Sequence, residues 1–112
     1  MRYEVKIKPL SVNEAWQGRR FKTRAHRGYR RQLSLGLPEG VFIPEGDLRV
    51  EYTFKVSNRR SDYDNLIKAF QDALCDQYGF DDSRICQATI RKKVVSRGDE
   101  GVEFEIGAIS LS

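Results

Sequence analysis

The sequence predicts a small, single-domain α/β protein with a mixed β-sheet and two helices, and three observations carry that prediction. Leu48, Val50, Tyr52, Phe54 and Val56 alternate without a break with polar residues, which is the period of a strand that buries one face. Directly downstream the period lengthens: Leu66, Phe70, Ala73 and Leu74 recur at helical spacing, with Tyr78 one turn further on. The chain has 112 residues, enough for one modest core, so residues 1–112 are expected to form a single unit.

The remaining elements follow in order. Tyr3, Val5 and Ile7 alternate with Arg2, Glu4, Lys6 and Lys8 as a first strand, which Pro9 ends. Residues 11–31 are polar and basic, with Gly18 and Gly28 as breaks, and a short helix is predicted around Tyr29 to Leu35. Pro38, Gly40, Pro44 and Gly46 mark the stretch from Leu37 to Gly46 as a connecting loop. After the central strand the second helix is predicted over Asn65 to Tyr78, with Asp62 or Asp64 as its N-cap and Gly79 closing its C-terminus. Ile85 to Val95 and Val102 to Ile109 read as two strands joined by the polar turn at 96–101, a predicted hairpin. The expected order is therefore β-α-β-α-β-β.

Composition narrows the function classes. With 32% charged and 39% hydrophobic residues the chain reads as an ordinary globular protein, and its net charge of +4 suits a polyanionic partner. No apolar run is long enough to span a membrane, and Met1 leads into alternating residues where a signal peptide needs an apolar stretch, so a cytoplasmic protein is expected. Cys75 and Cys86 lack CxxC spacing and have only His26 to join them, which falls short of a zinc site. Both are expected to be reduced and structural.

The chemistry-bearing residues flank the second helix. Asp62-Tyr63-Asp64-Asn65 stands between the clearest strand and the clearest helix, and two aspartates separated by one residue can converge on a divalent ion if a third carboxylate joins them. Asp81 and Asp82 are candidates for that third ligand, provided the chain crosses back after the helix. Oxygen ligands without histidine or thiolate favour Mg2+ or Mn2+ over zinc. Lys68, one turn after Asp64, could activate a water or stabilise charge developing on a phosphate. The same residues equally describe a helix cap, a surface i,i+4 ion pair and a solvated turn, and spacing alone leaves both readings open.

A basic segment precedes them. Arg19, Arg20, Lys22, Arg24, Arg27, Arg30 and Arg31 interleave with Trp16, Phe21 and Tyr29, a pattern suited to phosphate contacts with aromatic rings available to unpaired bases. Arg59 and Arg60 beside the aspartates, and Arg91, Lys92 and Lys93 on the following strand, add positive charge. His26 has no neighbouring carboxylate to orient it as a base and reads as a phosphate contact or a surface residue.

Taken together, Asp62-Tyr63-Asp64-Asn65-Leu66, Lys68, Asp72-Ala73-Leu74 and Asp81-Asp82 resemble the signature of the RusA-type Holliday-junction resolvases, common in phages and prophages. The resemblance extends to Ser11-Val12-Asn13 and to Tyr29-Arg30. It implies a RusA-like fold and a homodimer that binds four-way DNA junctions and resolves them by paired symmetric nicks, using Mg2+ with Mn2+ as a substitute, in DNA recombination and repair. Carried over residue by residue, Asp62, Asp64 and Asp82 match the family's catalytic, metal-binding carboxylates, with Asp81 the alternative to Asp82. Lys68 matches its catalytic lysine, and Asp72 falls at a recurrent supporting position. A RusA-like nuclease for forks or flaps, and a junction-binding module without cleavage, are the competing readings. The intact aspartate set argues against the last, because a pure binder has no use for carboxylates facing a polyanion.

Overall fold

The computed structural model describes residues 2–8, 16–17, 21–22, 24–59 and 63–109, with only the backbone path given at 16–17, 21–22, 24–26 and 63–65. The elements in chain order are β1 (Tyr3–Val5), β2 (Trp16–Gln17), β3 (Phe21–Lys22), α1 (Arg24–Gly36), β4 (Leu48–Val56), α2 (Tyr63–Tyr78), a 3-10 turn (Asp82–Arg84), β5 (Ile85–Val94) and β6 (Gly101–Ala108). Four strands form one mixed sheet in the order β1-β6-β4-β5, with β4 antiparallel to β6 and parallel to β5. β2 and β3 form a separate antiparallel ribbon that pairs Trp16 with Lys22, which periodicity across the polar segment does not reveal. Among the described residues no helix is long and apolar enough to cross a membrane.

β4 sits inside the sheet because its alternation is complete. Leu48, Val50, Tyr52, Phe54 and Val56 are buried, while Arg49, Glu51, Thr53 and Lys55 face the other side. The apolar face packs on the helices through Phe70 of α2, whose ring meets Tyr52 at 5.2 Å, Phe54 at 5.8 Å and Phe104 at 5.8 Å, all edge-on. α1 adds Tyr29 and Leu33 to the same core, and Leu37, just past its end, continues the spacing of four. The Tyr78 hydroxyl donates to the Pro38 carbonyl at 2.7 Å and so ties the end of α2 to the loop after α1. On the opposite face, Arg49 bonds Glu105 at 3.1 Å, Lys55 pairs with Glu103 at 3.0 Å and with Glu4, and Arg91 reaches Glu51 at 3.4 Å.

Three expectations need correction. β5 and β6 do not form a hairpin, because β4 lies between them. The β4-α2-β5 unit returns the chain parallel to β4 on one side, and the turn after β5 then carries it past the end of β4, where the Val95 amide donates to the Val56 carbonyl at 2.8 Å. β6 buries Val102, Phe104 and Ile106 and takes the inner place beside β4, with β1 on its far side. A short polar turn between two strands gives the same sequence pattern either way.

The first helix is longer than Tyr29 to Leu35 and runs straight through Gly28, which therefore breaks nothing. The second begins at Tyr63, which puts Asp64 within the helix and removes it as an N-cap, while Asp62 lies outside the described residues. Gly79 ends the helix as expected, with a φ of 70°. Its amide and that of buried Phe80 both donate to the Cys75 carbonyl, at 2.9 and 3.2 Å.

Candidate functional site

α2 and the 3-10 turn after it build an acidic cleft of about 390 Å3. Its walls are Asp72, Cys75 and Asp76 from α2, Phe80, Asp81 and Asp82 from the turn, and Arg30 from α1. Asp72 and Asp76 share a face because they are one helical turn apart. The Arg30 guanidinium forms an ion pair with Asp76 that bridges the two helices. Lys68 reaches forward along α2 to Asp72, Nζ to Oδ2 at 3.5 Å, with the lysine exposed and the aspartate half-buried.

The two neighbouring aspartates of the turn play different structural parts. Asp81 caps the 3-10 turn: its Oδ1 accepts the Ser83 amide at 2.9 Å, and that backbone bond, ahead of the contacts with the Ser83 and Asp82 side chains, holds its carboxyl below the usual range. Asp82 is exposed, opens the turn and lines the cleft. Next to them, Arg84 donates to the carbonyls of Gly46 and Pro44, fixing the turn to the loop that feeds β4.

Burial pushes the Cys75 thiol up to about 11, and the negative field of Asp82, Asp72, Asp76 and Asp81 adds to it in that order. That shift favours the protonated thiol at neutral pH. Cys86 is exposed on β5, and its thiol too is shifted up, by desolvation and by Asp47. Neither cysteine is in a disulfide.

The predicted site residues do not all gather in this cleft. Asp82 and Asp81 line it, and Lys68 stands beside it on α2 through its bond to Asp72. Asp64 lies in the first turn of α2, about 21 Å of helix from Tyr78 at about 1.5 Å per residue. Its carboxylate, like the whole of Asp62, is outside the described residues. Among the described residues no three carboxylate, histidine or cysteine groups converge as a ligand set for a metal.

Among the described residues the predicted DNA-contacting arginines and lysine lie on α1, on β3 and beyond the end of β4. Arg27 and Arg31 are exposed on α1, whereas Arg30 is turned toward α2 by Asp76. Arg24 and His26 lie on α1 and Lys22 on β3, with their side chains outside the described residues. Arg19, Arg20 and Arg60 fall outside them altogether. Arg59 is exposed beyond the end of β4, and its carbonyl accepts a hydrogen bond from Lys92 of β5 at 2.9 Å. Asp76 and Arg84 were not foreseen as parts of the site. Asp76 was legible as the i+4 neighbour of Asp72, while the role of Arg84 depends on a loop 38 residues away in sequence.

Fold and cleft together define a small α/β protein that sets a carboxylate-lined turn and helix beside exposed arginine and lysine side chains, a combination suited to phosphodiester chemistry. A family model for endodeoxyribonuclease RusA matches residues 12–107, and the chain belongs to that family. Its activity is accordingly that of a DNA endonuclease. No curated protein matches the chain at a significant level.

Proposed function

We propose that this endonuclease is a homodimeric, Mg2+-dependent resolvase of four-way DNA junctions that introduces paired symmetric nicks during recombination and repair in the cytoplasm of a bacterial or phage-infected cell. The observation that carries this reading is the family match over most of the chain, which includes the aspartates and the lysine around α2. Asp62, Asp64 and Asp82 are assigned to the metal, with Asp82 preferred over Asp81 because the Asp81 carboxylate is engaged by the Ser83 amide. Mn2+ would substitute for Mg2+, since the donors are all hard oxygens.

When bound, the ion supplies an activated water and neutralises the non-bridging phosphate oxygens. The protein's own groups do the rest. Lys68, paired with Asp72 one turn along α2, would bring one positive charge beside the carboxylates, where a phosphate would otherwise be repelled. Arg19, Arg20, Lys22, Arg24, Arg27, Arg30, Arg31, Arg59 and Arg60 are assigned to the DNA backbone, Arg30 by way of a guanidinium that Asp76 also holds.

The test is cleavage of labelled four-way junction, fork and linear duplex, each with Mg2+ or with EDTA. Symmetric nicks confined to the junction in Mg2+ are expected. Equal cutting of forks would move the reading to a general branched-DNA nuclease, and undiminished cutting in EDTA would remove the metal.

A further inference from the structure

Among the described residues, Arg30 is the one cationic side chain in the wall of the acidic cleft, against the carboxylates of Asp72, Asp76, Asp81 and Asp82. Those carboxylates repel a phosphodiester at close range, so the place and orientation of the guanidinium decide whether one can be gripped there. Two features set that place. The Arg30 side chain is mostly buried, 23% accessible, and reaches from α1 across to α2. Its tip is held by Asp76, whose Oδ2 accepts from Nη2 and whose own side chain is 72% accessible. A guanidinium carries five N–H donors, and the pair with Asp76 uses Nη2, so donors remain for a phosphate.

The same two residues also border a smaller hollow of about 230 Å3, lined further by Ser34, Leu37, Ala73 and Gln77, so the ion pair stands between two hollows. As a staple between the helices it would add little. An ion pair with one partner this exposed contributes marginally to stability. Both helices are already fastened to the core, α1 through buried Tyr29 and Leu33, α2 through buried Leu66, Phe70, Ala73 and Leu74. The pair does more for the cleft, because an unheld guanidinium samples many rotamers whereas a held one presents its planar fork in one orientation.

Resting on the resolvase reading above, we infer that Arg30 grips the phosphodiester to be cut and that Asp76 is the positioning residue that aims it. Asp76 thereby serves a cation, as Asp72 does one turn earlier on the same face of α2 by pairing with Lys68. The planar fork of Arg30 can hold two phosphate oxygens at once, which a lysine ammonium, a point charge, cannot match.

The test separates aim from charge. Nicking of a labelled four-way junction in Mg2+ is followed in a single turnover at saturating protein. Junction affinity and its salt slope are measured in EDTA, Mn2+ affinity by calorimetry, and folding by a thermal melt. Arg30→Lys keeps the charge and loses the fork, so the nicking rate should fall by at least about tenfold with the salt slope unchanged. Asp76→Ala leaves Arg30 present but unheld. Its rate should fall about tenfold, while junction affinity stays within about twofold and Mn2+ affinity is kept. Asp76→Glu, which retains a carboxylate within reach of the guanidinium, should recover most of the rate.

A wild-type rate in Asp76→Ala with a lowered Tm would make the pair a staple and overturn the inference. Faster nicking or tighter binding in that variant would show that Asp76 opposes the DNA, and lost Mn2+ would make it a metal ligand; each removes the positioning role. Arg30→Lys at the wild-type rate would remove the grip. Wild-type protein that leaves the junction intact but cuts a fork would overturn the junction reading alone, and the same comparison of variants is then decisive on the fork.

Discussion

Gly28 offers a clean test of the long first helix, because the structure and the residue type predict opposite behaviour there. α1 runs from Arg24 to Gly36, Gly28 is exposed within it, and a Cβ added at Gly28 would have nothing within 4 Å. Glycine in a helix interior costs about 0.5–1 kcal/mol relative to alanine, since it has more backbone freedom to lose on folding. With no contact to break, Gly28→Ala should return most of that sum. For a chain of this size the gain corresponds to a rise in Tm of roughly 2–6 °C. The assay is a circular-dichroism melt at fixed protein concentration, because the Tm of any self-associating protein depends on concentration, together with a urea titration in which the midpoint rises and the m-value stays constant. Junction affinity should not fall, as the added methyl replaces no charged group. A lowered Tm would refute a continuous helix through residue 28 and restore the break that the residue type suggests.

Four further outcomes are expected. Gly101→Ala should destabilise by about 1–3 kcal/mol, because its Cβ would stand 2.7 Å from the Val5 carbonyl oxygen, a backbone atom in the adjoining strand that cannot swing aside; an unchanged urea midpoint would contradict the close approach of β1 and β6. Coupling to the Glu51 carboxyl and the Arg49 guanidinium holds Glu105 below its ordinary 4.5, so its stabilisation is present above about pH 4.5 and is lost as the pH falls below that range. Glu105→Gln should flatten that acid limb in denaturation midpoints taken at successive pH values, and an identical limb in both proteins would dismiss the group. Arg31→Gln and Arg30→Gln should each reduce the slope of log affinity against log salt by about one, and Arg30→Gln should in addition lower Tm slightly, because it also removes the ion pair with Asp76; an unchanged slope in either variant would remove that arginine from the DNA contacts. Asp82→Asn should abolish Mn2+ binding with the fold intact, while Asp81→Asn, which keeps an acceptor for the Ser83 amide, should retain it; the reverse outcome, measured by calorimetry and melting, would make Asp81 the ligand.

What the sequence made legible follows from how far each signal reaches along the chain. The alternation of Leu48 to Val56 and the helical spacing from Leu66 to Tyr78 are local, dense and set by one buried face each, so β4 and α2 were readable almost to the residue. The α1 boundaries were not, because among its described side chains the buried ones are Tyr29 and Leu33, followed by Leu37 just past its end, in a segment rich in arginine, glycine and polar residues. Strand pairing was the least accessible: β5 and β6 carry compatible patterns and a short turn, and only the placement of β4 between them distinguishes a shared neighbour from a hairpin.

The same limit governs the site. The sequence supplied the residue types for a hard-metal centre and even the condition for it, that the chain after the helix must cross back toward Asp64. The crossing does occur, but β5 makes it, after Asp82 has already been left behind at the Leu48 end of the sheet. A one-dimensional pattern brings Asp64 and Asp82 to mind as a set, since both flank α2; a rigid helix of 16 residues then holds them apart as firmly as it orders them. Site and sheet are thus limited in the same way: residue types are local and legible, whereas the separation of Asp64 from Asp82 is set by the parallel return of β5 beside β4, which no local pattern encodes.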